Sequence, residues 1–571
     1  MSTTLTGRAA SPGVAIAPAF VIEPREHVDE RADAADLNAE EQKGRVDEAL
    51  STTEEQLGEV ADKMADEVGE EEAAIFMAHA DFAGDPEIAD LVHDAIDGGA
   101  TAEQAVRDAF DKFRTMLEGS TSEYLAARAA DIDDVRDQVL DVLAGRAAAP
   151  VPTERSIVVA DELTPSQTAK LPRELIAAIA CERGSPTSHA AILSRSLGIP
   201  AVVGCPGLLD AARASTLMSI DGRSGEVLVD PDESERRHID RMVAREAERE
   251  ERLAAMRSQK GQTKDGHRVE LAANLNGPDA VASAMEHAAE GSGLVRTEFL
   301  FQESQSEPTI AEQVPFYKEA LDALVGHRVV FRTMDVGADK PLPFVQRDPE
   351  ENPAMGLRGI RLGLARRSLL VHQLRALLRA RDPDGEQGQL AIMFPLVSTA
   401  EEVRDARAAL EEAADAEGTS LDGIEVGIMV EVPIAALAAH RLAPLVDFFS
   451  IGTNDLLQYL YAVDRMQAEI AHLPDILDPA VLDLVGHIVE AAHANDAWVG
   501  VCGESAADRM AAAAFVGLGV DELSMSPTGI GEVKAMLAEI TVERLQGLAT
   551  KARAAANGHE VRDLLADLPF G

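Results

Sequence analysis

Gly184-Ser185-Pro186-Thr187-Ser188-His189-Ala190-Ala191-Ile192-Leu193-Ser194-Arg195 reads as a loop that turns into a short helix. Pro186 disfavours helical backbone just before it. Thr187 offers a hydroxyl as N-cap, and Gly198 stands where the helix should stop. His189 then falls in the first turn. The free N–H groups and the positive dipole end there disfavour an imidazolium and favour a dianion carried on the ring. That suits a neutral imidazole that accepts and holds a phosphoryl group. For a single histidine the plainer reading is a structural cap. Small residues on both sides and the helix-start position weigh against it.

The longer run GSPTSHAAILSRSLGIPAVVG, residues 184–204, resembles the phosphohistidine loop of the phosphoenolpyruvate-utilising enzymes. That family includes enzyme I of the sugar phosphotransferase system, pyruvate phosphate dikinase and phosphoenolpyruvate synthase. Ser185 stands where the family usually has Gly or Ala; it is small enough to keep the loop geometry.

Outward from this loop, composition sets the frame. A chain of 571 residues is too long for one core and implies two to four domains. Acidic residues outnumber basic ones by 100 to 52, for a net charge of −48, and the acid is spread along the whole chain. This pattern suits a surface adapted to high salt, where counterions screen self-repulsion. No basic patch is evident, which excludes nucleic acid as an expected partner. The three cysteines, Cys181, Cys205 and Cys502, make no disulfide framework. The opening MSTTLTGRAASPG lacks the apolar core of a signal peptide, and no apolar run of membrane-spanning length is present. A cytoplasmic protein that is not membrane-embedded is expected.

Residues 1–24 carry the apolar run GVAIAPAFVI, read as a strand that joins a later domain. Residues 25–145 change to helical spacing of apolar residues among Glu, Asp and Ala, with a turn at Gly84-Asp85-Pro86-Glu87. About four helices are expected there. Residues 146–230 alternate strand and helix: SIVVA, TPSQTAKL, AAIA, the His189 helix, PAVVG and EVLVD. Residues 231–260 are highly charged with helical spacing and read as a linker helix, the candidate hinge. From 261 to 571 eight strand candidates appear: RVELAANL, GLVRTEFL, RVVFRTMD, QLAIMFPL, EVGIMVEV, FFSIGTND, WVGVCGES and ELSMSP. Eight βα units in that length are the mark of a TIM barrel. The fold expected is thus multidomain α/β: an α/β phosphohistidine domain (1–24 and 146–230) with an inserted helical bundle, a linker helix, and a C-terminal (β/α)8 TIM barrel.

In such a barrel the chemistry sits at the C-terminal ends of the strands. The polar residues there are Asn274, Arg296, Arg332, Glu431, Asn454, Asp455, Cys502 and Glu504. Arginine forks match phosphate and carboxylate, so Arg296, Arg332 and Arg465 would clamp a small molecule carrying both, with Arg358 a fourth candidate. Glu431 and Asp455, on adjacent strands, suit Mg²⁺, which takes few carboxylates; ordinary ion-pairing with the same arginines is the plainer alternative. Cys502 is placed to act as an acid.

The run FFSIGTNDLLQYLYAVDR also resembles the second signature of the same family, from Asp447 to Arg465. The resemblance implies that Arg296, Arg332, Asn454, Asp455 and Arg465 bind phosphoenolpyruvate, that Glu431 and Asp455 bind magnesium, and that Cys502 donates a proton. Thr168 matches a hydroxyl near the histidine, and Arg195 could pair with a phosphohistidine. The runs AAIFMAHADFAGDPEI and SEYLAARAADIDDVRDQVL look like the helical subdomain with which enzyme I docks its phosphocarrier HPr. Enzyme I is the implied member: phosphoenolpyruvate phosphorylates His189, pyruvate leaves, the phosphoryl group passes to a histidine of HPr to drive sugar uptake, and the barrel dimerises. Two other readings stay open, a synthase- or dikinase-like enzyme without its ATP domain and a regulatory scaffold. The roughly 180 residues before the loop leave no room for an ATP domain.

Overall fold

Four short strands open the chain where one was expected. In the computed structural model these are β1 (Thr3–Thr6), β2 (Arg8–Ser11), β3 (Val14–Ala17) and β4 (Ala19–Ile22). Gly7 and Gly13 punctuate them. Gly13 has φ +126°, and a Cβ at Gly7 would lie 2.6 Å from Val202 Cγ1; both positions demand glycine. The structure describes residues 2–23, 37–68, 70–118, 132–146, 150–186, 188–277, 279–302, 304, 306–336, 342, 344–345, 350–382, 385–465, 467 and 469–568. It divides into two units, Met1–Glu248 and Arg249–Gly571.

The first unit continues with β5 (Ser156–Ala160), β6 (Ile176–Cys181), β7 (Ala201–Val203), β8 (Met218–Asp221) and β9 (Glu226–Val229). One sheet has the order β2-β7-β6-β5-β4 and the other β1-β9-β8-β3. The opening strands are thereby dealt alternately to both sheets. Strand β8 was not expected, because Met-Ser-Ile-Asp holds two separated apolar residues rather than the apolar run that marks β9, Glu-Val-Leu-Val. Between β4 and β5 lie five described helices, Ala39–Val68, Glu70–Ala83, Pro86–Asp97, Ala102–Glu118 and Ile132–Leu143. About four were expected; the run of helical spacing crosses the first boundary without an apolar break. Asp85 caps the third helix by accepting from the Glu87 N–H at 2.8 Å, with Pro86 at its first position. Val92, Phe110 and Val139 form part of the bundle core. The bundle meets the sheet domain through Gln138 Nε2 to Ser166 Oγ (2.9 Å) and through Met64 and Phe76, which pack with Leu193 of the His189 helix.

A 24-residue helix, Glu233–Met256, follows β9. The second unit is a closed barrel of eight strands: β10 (Glu270–Leu275), β11 (Gly291–Val295), β12 (Arg328–Arg332), β13 (Gln389–Phe394), β14 (Glu425–Val430), β15 (Phe448–Ile451), β16 (Trp498–Val501) and β17 (Glu522–Met525). All neighbours pair in parallel and β17 returns to β10. Each strand overlaps its expected segment. Outward-facing Val329, Ile392 and Phe449 bury under the surrounding helices in one core. No helix among the described residues is long and apolar enough to cross a membrane.

Candidate active site

The His189 helix runs from His189 to Ser196. Its N-cap is Ser188, in extended backbone and without a side-chain cap bond, so the expected cap at Thr187 is corrected by one residue; Thr187 itself lies outside the described residues. The turn closes instead through the backbone, Ser188 N–H to Ser185 O at 3.0 Å. The C-terminal end is as expected. Gly198 has φ +67°, and Gly198 and Ile199 donate back to the Arg195 and Ser194 carbonyls at 3.1 and 2.8 Å. Arg195 Nη1 donates to the carbonyls of Ala10 (2.6 Å) and Pro186 (2.9 Å), which ties β2 and the loop to the helix. Thr168, buried, donates its hydroxyl to Thr164 O at 3.0 Å, one turn back in its own helix.

On the barrel, Arg296, Arg332, Arg358, Glu431, Asn454, Asp455, Arg465 and Cys502 line one pocket at the C-terminal ends of the strands. Arg332 is buried. Its Nη2 donates to Glu298 at 2.8 Å and its Nη1 lies 3.2 Å from Asp335. Arg358 reaches Asp335 at 2.9 Å and Asp455 at 3.4 Å. Arg465, half-exposed, has Nη1 3.7 Å from Asp455 Oδ1. Burial alone would lower the pKa of Arg332 and Arg358; the surrounding carboxylates outweigh it and raise both. Glu431 Oε1 accepts the Leu396 N–H at 2.6 Å. Burial, then the neighbouring Asp455 and Asp335, push the Glu431 carboxyl well above the usual range.

Tight backbone contacts fix these ends. A Cβ at Gly503 would meet Thr453 Oγ1 at 1.8 Å, so the end of β16 can touch the start of helix Thr453–Tyr461 only as glycine. Asn454 clasps Glu504, donating to its carboxylate at 3.2 Å and accepting its N–H at 3.3 Å. Asn274 donates to the Cys502 carbonyl at 3.0 Å. Burial raises the Cys502 thiol to about 11, with Ser450 the first opposing influence. At neutral pH it holds its proton.

Sequence reasoning missed Glu298 and Asp335. Asp335 closes the segment RVVFRTMD only three residues after Arg332, and the same strand-end rule would have found it. Among the described residues, Asp335, Glu431 and Asp455 offer carboxylate oxygens within 4.8 Å of one another. Three buried acids so close fit a divalent cation. So does Asp455 Oδ1, a buried oxygen with no hydrogen-bond partner.

The chain matches three family profiles: PEP-utilising enzyme N-terminal over residues 6–128, mobile domain over 152–225, and PEP-binding domain over 250–542. The chain belongs to the phosphoenolpyruvate-utilising enzymes. Within that family it is 40% identical to the phosphoenolpyruvate-protein phosphotransferase of Staphylococcus carnosus over 99% of both chains. It is 40% identical to the protein of the same name from Bacillus subtilis over 98% of both. A solution structure of Enzyme I (nEIt) matches at 33% identity, covering 43% of this chain and 99% of that one, with a TM-score of 0.36. The family's mobile-domain profile contains the His189 helix, and its PEP-binding profile contains every rim residue described above.

Proposed function

We propose that the protein is the first phosphotransferase of a sugar-uptake chain, moving the phosphoryl group of phosphoenolpyruvate to His189 and then to a histidine of an HPr-type carrier. The observation that carries this reading is the convergence of Arg296, Arg332, Arg358 and Arg465 with three metal-suited carboxylates and the Cys502 thiol in one pocket. Phosphoenolpyruvate bears a phosphate and a carboxylate, and guanidinium forks bind both. Arg296 Nε and Arg332 Nε are buried without hydrogen-bond partners, so the fork geometry leaves donors for a ligand. Asn454 and Asp455 stand in the first helical turn after β15, where backbone N–H groups favour an anion.

Glu431 and Asp455 would hold Mg²⁺, with Asp335 beside them; when bound, the ion neutralises charge on the transferring phosphoryl group. The chain's own residues do the rest. The arginines hold the phosphoryl group in place for attack by an imidazole nitrogen of His189. The P–O bond of the substrate breaks as the P–N bond forms. The enolate left behind takes the Cys502 thiol hydrogen on carbon and leaves as pyruvate.

His189 and the rim belong to different units, so the histidine must visit the rim and the carrier in turn; helix Glu233–Met256 is the proposed hinge. Met77, 60% exposed on helix Glu70–Ala83, supports the helical bundle as the docking surface for HPr. Exposed Ile434, Leu437, Leu460 and Leu473 on the barrel unit support a homodimer through the barrel. A cytoplasmic, salt-adapted protein completes the reading. Pyruvate release from phosphoenolpyruvate with Mg²⁺ tests it: one equivalent without carrier and continuous turnover with it are expected. A folded protein that releases none would overturn it.

A further inference from the structure

We infer that Ser524, acting through Asn274, is a positioning residue for Cys502: together they set the peptide that carries the thiol at the rim of the pocket. The inference rests on the proton-donor role of Cys502 proposed above. It gives a task to a strand-end residue that has none so far. Arg296, Arg332, Glu431, Asn454, Asp455 and Cys502 line the pocket, whereas Asn274, near the end of β10, is not part of that lining.

Cys502 stands where β16 leaves the barrel ladder. β16 and β17 pair at Gly500 with Glu522 and at Val501 with Leu523. One residue on, Cys502 is still held from the β15 side. Its N–H donates to the Ile451 carbonyl at 3.1 Å, and its thiol donates to the same carbonyl at 3.7 Å. On its other side the partner is a side chain: Asn274 Nδ2 donates to the Cys502 carbonyl at 3.0 Å. The amide does for this carbonyl what a strand N–H does for carbonyls within the ladder. A peptide unit is planar, so fixing its oxygen fixes the plane that joins Cys502 to Gly503, which also lines the pocket. A tilt of that plane would carry the thiol with it.

The Asn274 amide has two ends, and Ser524 sets which of them faces Cys502. Leu523 and Met525 pack outward in the core under the helices, so Ser524, between them on β17, faces inward; it is fully buried. Its hydroxyl donates to Asn274 Oδ1 at 2.7 Å and accepts the Gly293 N–H at 3.2 Å. The β10–β11 register shifts at this point: Ala273 pairs with Ser292 and Asn274 with Leu294, so Gly293 is passed over and its N–H turns to the serine. With a backbone donor on its oxygen, the hydroxyl gives its hydrogen to Asn274 Oδ1, which leaves the NH2 group for Cys502. Turned over, the amide would set its oxygen against the Cys502 carbonyl oxygen. Gly293 has to be glycine for this approach, since a Cβ there would lie 2.6 Å from Ser524 Cβ and 2.8 Å from its Oγ. The hydrogen bonds thus run in one line from β11 through β17 and β10 to β16. Glu522, two residues back on the same face, belongs to a separate cluster: burial raises its carboxyl, and Oε2 accepts from Arg328 at 3.4 Å.

The test follows phosphohistidine and pyruvate together through one turnover by rapid quench. The full chain is mixed with phosphoenolpyruvate and Mg²⁺ in concentrated KCl, as wild type, Ser524→Ala, Asn274→Asp, Cys502→Ala, and Ser524→Ala combined with Cys502→Ala. Asn274→Asp keeps the shape of the side chain but offers the carbonyl no donor. In the wild type both products should rise together. In Ser524→Ala and Asn274→Asp, phosphorylation should keep its rate and its KM for phosphoenolpyruvate, while pyruvate lags by about 10-fold or more, because a displaced proton donor loses rate steeply. Adding Ser524→Ala to Cys502→Ala should lengthen the lag no further, because the thiol through which the serine acts is gone. A serine that served only the packing of the barrel would slow both backgrounds alike, and that result would overturn the inference. So would wild-type timing in Ser524→Ala, or slowed phosphorylation without a lag. Cys502→Ala without a lag would overturn the donor role, and the positioning with it. A wild-type protein that forms neither product would overturn the phosphotransfer reading itself.

Discussion

At Arg332 the side chain is held by Glu298 and Asp335 before any ligand arrives. Its orientation is thus fixed in advance, and binding need not order it. Arg332→Lys keeps the charge but loses the fork. Affinity for phosphoenolpyruvate, read as KM, should weaken about 10- to 100-fold, corresponding to ~1.5–3 kcal/mol for charged hydrogen bonds. A KM within twofold of wild type would mean that Arg332 acts only on its carboxylate neighbours. Cys502→Ala removes the proposed proton source. Phosphorylation of His189 should persist while the appearance of pyruvate lags, slowed by about 10²-fold or more. Simultaneous phosphorylation and pyruvate formation in that variant would assign the proton elsewhere. Glu431 sits among like charges, so it must lose a proton to bind a cation. Mg²⁺ affinity should therefore rise with pH, and Glu431→Gln should abolish the Mg²⁺-induced shift in melting temperature.

Elements place these residues by contacts that admit no substitute. Gly503→Ala would drive a methyl group into Thr453 Oγ1, 1.8 Å away, and push β16 from the helix that carries Asn454 and Asp455. A stability loss of about 1–3 kcal/mol, read by denaturant midpoint, should accompany loss of turnover. The left-handed Gly198 ends the His189 helix, and Gly198→Ala should cost about 1 kcal/mol. The barrel was legible because eight short, mostly apolar strand segments recur along residues 261–571, most of them followed by helical spacing. The opening residues were not. Thr3–Thr6 and Met218–Asp221 carry only one and two apolar residues and show no apolar run, so only pairing across the sheet defines them. The cap at Ser188 lay one residue from the expected Thr187, because two adjacent hydroxyl residues are equivalent until the backbone turns. Of the rim, the residues on or beside strand ends were legible. Of the partners that orient them, Asp335 was within reach of the same rule at the end of RVVFRTMD, whereas Glu298 looked like any other acid in a chain rich in them.

Across the whole molecule, charge is the dominant condition. A net charge of −48 makes compaction costly at low ionic strength. Melting temperature should climb as KCl rises from about 0.1 M to about 1 M, over which the screening length shrinks from ~10 to ~3 Å. A flat response would refute salt adaptation. Proton linkage adds a second dependence. Glu522 holds its proton more tightly when folded, at about 8 against 4.5. Its contribution to stability is therefore full below pH 4.5 and is lost as pH rises toward 8. Glu522→Gln should flatten that slope in the unfolding of the barrel. The central claim is that a phosphoryl group leaves phosphoenolpyruvate at the rim and arrives on His189. The most direct measurement mixes the protein with phosphoenolpyruvate and Mg²⁺ in concentrated KCl, with and without HPr, beside His189→Ala, and follows pyruvate. One equivalent per active site, turnover only with the carrier, and neither in the variant are predicted; a burst that survives His189→Ala would contradict the account.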